Sequence, residues 1–280
     1  MPEGPATRRR GLPWQHAHLV AAVSILLAWS LLAERLAGLL FLPAWVLVTQ
    51  LIAAGSLEAA RLRRRAWLGQ YLRDGSPWHR RLRGGVLMVA RHQLLAAFLA
   101  LLLLVKLRLL IWVGWPLLLL AVAGLVMLRN ALRRRLARHV IGEHLAAVTR
   151  RLVVMPAAGL LALALVVAAL WLPQPYLVGL GWEEALMGHL QGRDAASLLG
   201  VFQRLGSAVE LTQYWAMQNA VAALPLGAPL ALLGWLLLLL TQSAFAWAYV
   251  RLLVGADAMR REGRRSAIAL LQDAGEEERP

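Results

Sequence analysis

A chain of 280 residues that is 60% hydrophobic, with a mean hydropathy of +0.59, has too little polar surface to coat a soluble globule of one or two domains. Its formal charge of +15 would suggest nucleic acid as a partner in a soluble protein. Here the arginines crowd at the ends of apolar runs and no nucleic-acid-binding motif is present, so no nucleic acid is expected. The lack of Cys excludes disulfide frameworks, thiolate catalysis and Cys-ligated metal sites.

The pattern is that of an all-α, polytopic membrane protein with about six transmembrane helices in three hairpins. Residues 1–18 form a basic N-terminus with Arg8, Arg9 and Arg10, expected in the cytoplasm. The first hairpin occupies 19–56, with helices over about Leu19 to Ala33 and Leu39 to Ala54, a polar break at Glu34 and Arg35, and Pro43 near the start of the second helix. No small-x-small cleavage site follows the first apolar segment, so it is expected as an uncleaved span rather than a secretory signal.

Residues 57–93 carry nine arginines against Glu58 and Asp74. Trp67, Leu68, Tyr71 and Leu72 recur at helical spacing beside them, the pattern of an amphipathic helix in the headgroup region. Clustered arginines of this kind, Arg61, Arg63, Arg64 and Arg65 foremost, suit contact with anionic lipid or a partner.

The run from Leu94 to Leu128 is nearly pure hydrocarbon, broken only by Lys106 and Arg108. As one helix it would measure roughly 50 Å against a hydrocarbon core of about 30 Å. A single crossing would also put the basic segment after it on the wrong side. A second hairpin over 94–128 is therefore expected. Its turn is placed at Val105 to Leu109, making Lys106 and Arg108 anchors at the outer headgroups; the alternative is Gly114-Trp115-Pro116, which has the better turn chemistry but leaves a short fourth helix.

Residues 129–151 form a basic cytoplasmic helical segment, with Arg133, Arg134 and Arg135 as further candidates for lipid or partner contact. His139 and His144 are five apart, which places them on different sides of a helix, so no metal is expected there. A fifth span, with Pro156 in its first turns, covers 152–172, and 173–227 is the long extracytoplasmic amphipathic segment. Its apolar residues, Phe202 and Trp215 among them, need a cover: outer-leaflet lipid, the bundle itself or another subunit. The sixth span occupies 228–250, and 251–280 is a cytoplasmic tail. In this scheme 25 of the 30 Lys and Arg fall in the four segments assigned inside, as a chain with both termini cytoplasmic in a bacterial inner membrane requires.

The chain holds no Walker loop, GxSxG or HExxH motif, and no paired carboxylates within an apolar helix. No enzymatic activity and no cofactor are expected. The expected role is that of an integral subunit or accessory protein of a membrane complex, contacting membrane lipids and docking a protein partner or a second copy through the extracytoplasmic segment and the basic loops. A small transporter core is the alternative, and a lipid-acting enzyme built on Glu183, Glu184 and His189 ranks below it.

Overall fold

The computed structural model describes residues 17–71, 86–140, 142–190, 197–220 and 227–277, without the side chains of 61–71, of Glu58, Ala59, Val86, Glu143 and His144, and of most residues beyond Arg260. Within them the chain forms eight helices and no strand: α1 (Ala17–Leu31), α2 (Glu34–Tyr71), α3 (Val86–Leu109), α4 (Gly114–Leu136), α5 (Gly142–Trp171), α6 (Trp182–Leu190), α7 (Leu198–Asn219) and α8 (Gly227–Glu277). Five of these, α2 to α5 and α8, are long and apolar enough to cross a membrane, and α1 is a shorter apolar helix. Large apolar side chains cover their outer surfaces: Leu39, Leu87, Leu120 and Leu160 are 77%, 84%, 67% and 66% exposed. Water would make such a surface a severe liability, whereas hydrocarbon solvates it. The chain has the build of a helical, multi-pass membrane protein.

Several helices run beyond the bounds that hydropathy alone suggests. α2 starts at Glu34 and continues through the first arginines to Tyr71, so the basic stretch up to that point extends the span rather than forming a separate surface helix. The remainder of the 57–93 loop, up to Gly85, lies outside the described residues. Because α2 and α5 begin earlier than expected, Pro43 and Pro156 are helix-internal and not in a first turn. Each leaves the carbonyl four residues before it, Leu39 and Leu152, without its usual donor. The second hairpin turns at Leu110 to Val113, between the two expected positions, with Gly114-Trp115-Pro116 opening α4 and Lys106 and Arg108 on the last turn of α3. The short-helix objection to a turn near Pro116 disappears because α4 continues through Arg129 to Leu136.

α8 is the central element, packing on α1, α2, α3, α5 and α7. Its closest approach is to α2, where Gly55 faces Gly255 and a Cβ on Gly255 would collide with the Leu51 carbonyl. Lipid offers no hydrophobic drive for helices to associate, so close backbone contact through small residues supplies dispersion energy instead. The interior is otherwise Leu, Ala, Val and Phe, with Phe41, Leu103, Leu118, Phe245 and Tyr249 almost wholly enclosed. Polar tips are satisfied across helices: Trp29 Nε1 donates to the Leu104 carbonyl (3.1 Å), Trp45 Nε1 to Ala97 (2.7 Å) and the Tyr249 hydroxyl to Leu118 (3.1 Å).

Candidate functional site

The two ends of the bundle carry different polar chemistry. At the end where α3 finishes and α2 begins, two ion pairs close the structure. Lys106 Nζ pairs with Glu210 of α7, and Arg108 pairs with Glu34 at the first position of α2. Arg108 also donates to the carbonyls of Trp29, Ser30 and Leu32, at the last turn of α1 and the residue after it, where the regular helical ladder of N–H donors ends. Both cations therefore tie α3 to neighbouring elements, a more specific task than anchoring a turn in headgroups.

α7 is seated on this end. Ser197 caps it by accepting from Gly200 N, and Gly206 lies against Val105 and Leu109 of α3. A Cβ on Gly234 of α8 would press on Met217, so the small residue permits the contact. Phe202 packs into the main core against Phe41, ring centroids 6.1 Å apart. Trp215 joins a smaller core with Leu177, Ala185, Leu190 and Leu211, its Nε1 donating to the Leu180 carbonyl. The side-chain amides of Gln218 and Asn219 bond the backbone of Pro175, Leu177 and Gly179, fixing the loop before α6. Burial, followed by the nearby Glu210 carboxylate, pushes the Tyr214 phenol above its usual range.

One face of α7 is thus covered by its own chain. Another is bare: Leu198, Val201, Leu205 and Val209 form an exposed apolar stripe. Beside it a groove of about 210 Å³ runs between α3 and α7, walled by Phe98, Leu102 and Phe202 and ending at the Lys106–Glu210 pair and Thr241. Thr241 bonds back to the Leu237 and Leu238 carbonyls, and Gln242 is buried. Glu183, Glu184 and His189 are exposed on α6, with His189 Nδ1 bonded to the Ala185 carbonyl. Five and six positions apart on one helix, the imidazole points roughly 120–140° away from either carboxylate, so the three do not converge.

The opposite end is basic. Arg133, Arg134 and Arg135 are exposed on the last turn of α4, and Arg61, Arg63, Arg64 and Arg65 lie on the continuation of α2, their side chains outside those described. Just within this end sits a group that sequence inspection overlooked. Asp257 of α8 is 6% exposed, and its carboxylate meets Arg129 of α4 at 2.9 Å, His18 of α1 at 3.2 Å and Arg150 of α5 at 3.6 Å. A buried carboxylate is tolerable only when paired and hydrogen-bonded, and this one joins four helices. Its signal was present in the helical period: Ala246, Tyr249, Val250, Leu253 and Asp257 share one buried face of α8, so the carboxylate falls where apolar residues belong.

Next to this cluster lies a cavity of about 350 Å³ between α2, α3, α5 and α8. Among the described residues Arg150, Arg151, Arg251, His92 and Ser56 contribute polar groups to its lining, and Ile52, Val154, Met155 and Trp247 much of the rest. Arg251 is stacked over the Trp247 ring at 4.5 Å from the centroid. No group of three or more His, Asp or Glu among the described residues is arranged to hold a metal ion.

No family model, curated protein or solved structure matches the chain. What it does has to be inferred from these two ends.

Proposed function

We infer that this chain is an integral subunit of a membrane complex, crossing a bacterial inner membrane six times with both termini in the cytoplasm. It docks a partner through the bare face of α7 outside and its arginine-rich end inside. The orientation follows from charge, since the arginines gather at one end of the bundle and the exposed Glu183 and Glu184 lie at the other. The observation that carries the docking reading is the stripe of Leu198, Val201, Leu205 and Val209. A helix that has already buried one face against its own bundle and still presents a second apolar face needs a further cover.

Photo-crosslinking at Leu205 and Arg134 in native membranes tests this reading. A discrete protein adduct at either position supports it, and adducts with lipid alone at both positions overturn it. The polar cavity at the basic end favours a second reading, a small transporter core. Uptake of a phosphate-bearing solute into proteoliposomes, abolished by Arg151→Gln, would displace the subunit reading in favour of that one.

A further inference from the structure

We propose that the groove between α3 and α7 binds one acyl chain of a phospholipid whose phosphoethanolamine headgroup sits on the Lys106–Glu210 pair. The first ground is depth. Lys106 lies on the last turn of α3, at the end of the bundle where Arg108 and Glu34 also meet, so the pair stands at headgroup level. From there the apolar lining runs inward along α3 through Leu102 to Phe98. Lys106 to Phe98 spans about 12 Å of helix, within the roughly 15 Å that one leaflet gives to a hydrocarbon core of about 30 Å. Phe98 is 59% exposed, so the groove opens sideways to lipid.

The second ground is that the groove is held open. Its α7 wall is fixed through Phe202, whose ring meets Phe41 of α2 at 6.1 Å between centroids, and Phe41 in turn stacks on Trp45. Its α3 wall is fixed by the same tryptophan, whose Nε1 donates to the Ala97 carbonyl at 2.7 Å. The ion pair ties the two walls together at the outer end. An apolar space of about 210 Å³ between fixed walls forfeits dispersion contacts until something fills it. It is smaller than the roughly 300 Å³ of sites that enclose a whole small molecule, and suits a single hydrocarbon chain laid along α3.

The third ground is charge. Among the described residues the lining holds one cation and one carboxylate, Lys106 and Glu210. A headgroup of net negative charge would meet the carboxylate as well as the ammonium. A zwitterion meets each with the opposite sign: its phosphate beside Lys106, whose ammonium has three N–H groups and gives one to Glu210, and its own ammonium beside Glu210. Ethanolamine keeps N–H donors for that carboxylate, whereas the quaternary nitrogen of choline has none. The site does not depend on what covers the neighbouring stripe of Leu198, Val201 and Leu205.

The test uses the full chain in a mild non-ionic detergent, titrated with dioctanoyl phosphatidylethanolamine, phosphatidylcholine and phosphatidylglycerol, reading the thermal unfolding midpoint. The ethanolamine lipid should raise the midpoint at about tenfold lower concentration than the other two, the difference that one charge-assisted hydrogen bond makes. Val209→Trp, at an exposed position of the lining, fills the groove and should abolish the shift. Glu210→Gln keeps an oxygen for Lys106 and should remove the preference for ethanolamine. Leu120→Trp, on the exposed side of α4, should change neither. A photoreactive residue at Phe98 in native membranes should give lipid adducts. Equal shifts from the three lipids, an undiminished shift in Val209→Trp, or a retained preference in Glu210→Gln overturns the proposal. So does a protein adduct at Phe98, from a partner or a second copy, because another chain would then fill the groove.

Discussion

Both ends of the bundle bury ions, but they balance them differently. At the far end each cation has its own carboxylate: Lys106 with Glu210, Arg108 with Glu34. At the basic end a single carboxylate, Asp257, is shared by Arg129, Arg150 and His18, and further arginines line the adjoining cavity. One-to-one pairs fix the register of neighbouring elements and leave no charge over. A shared carboxylate instead gathers α1, α4 and α5 around one point of α8.

The largest effects should come from breaking the shared carboxylate or the close crossing beside it. Asp257→Ala removes the carboxylate that two guanidinium groups, Arg129 and Arg150, share and should cost about 3–5 kcal/mol, read as a shift in denaturant midpoint of the detergent-solubilised protein. Asp257→Asn should recover only part of it, since the amide bonds but does not neutralise. Gly255→Val, which drives a side chain into the Leu51 carbonyl, should be comparably damaging, above about 3 kcal/mol, although it touches no charge. A mild phenotype for Asp257→Ala would mean that Arg129 and Arg150 do not depend on that carboxylate.

How far this division could be read from sequence depends on which residues carry it. The apolar runs declared the helical membrane build, because composition and length alone force it. The arginine clusters marked one end in the same way. Lys106 and Arg108 stood out as charges in hydrocarbon, but Glu210 lies 104 residues along the chain from Lys106, and no local pattern joins them. The hairpin turn at Leu110 to Val113 was bracketed and not located, since neither Gly nor Pro occupies it. Asp257 was overlooked because it sits among arginines in an apparently solvated tail, where only its helical phase marks it as buried. Phe202 and Trp215 were singled out for needing a cover, and that cover proved to be the protein's own core.

At the far end the expected effects are smaller and unequal. Arg108→Ala removes the donor to three carbonyls at the end of α1 as well as a carboxylate partner, and should cost about 2–3 kcal/mol. Lys106→Met leaves Glu210, one-quarter exposed, without its cation, for about 1–2 kcal/mol after allowing for solvent. The double change Lys106→Met with Glu210→Met should cost less than the two single changes together, because no uncompensated charge remains. Additive costs would show that the pair does not couple α3 to α7.

Glu34→Gln should have the least effect and sharpens the contrast most. Its side chain is 59% exposed, so water screens the attraction to Arg108, and exposed pairs are worth about 0–1 kcal/mol. Gln also keeps an oxygen for the guanidinium to bond. If Arg108 acts chiefly on the carbonyls of α1, the change should cost under about 0.5 kcal/mol, well below Arg108→Ala measured in the same denaturant titration. Equal costs for the two would mean that the salt bridge, and not the capping of α1, holds Arg108 in place. The far end would then depend on charge pairing as heavily as the basic end does, and the distinction between a paired and a shared carboxylate would fail.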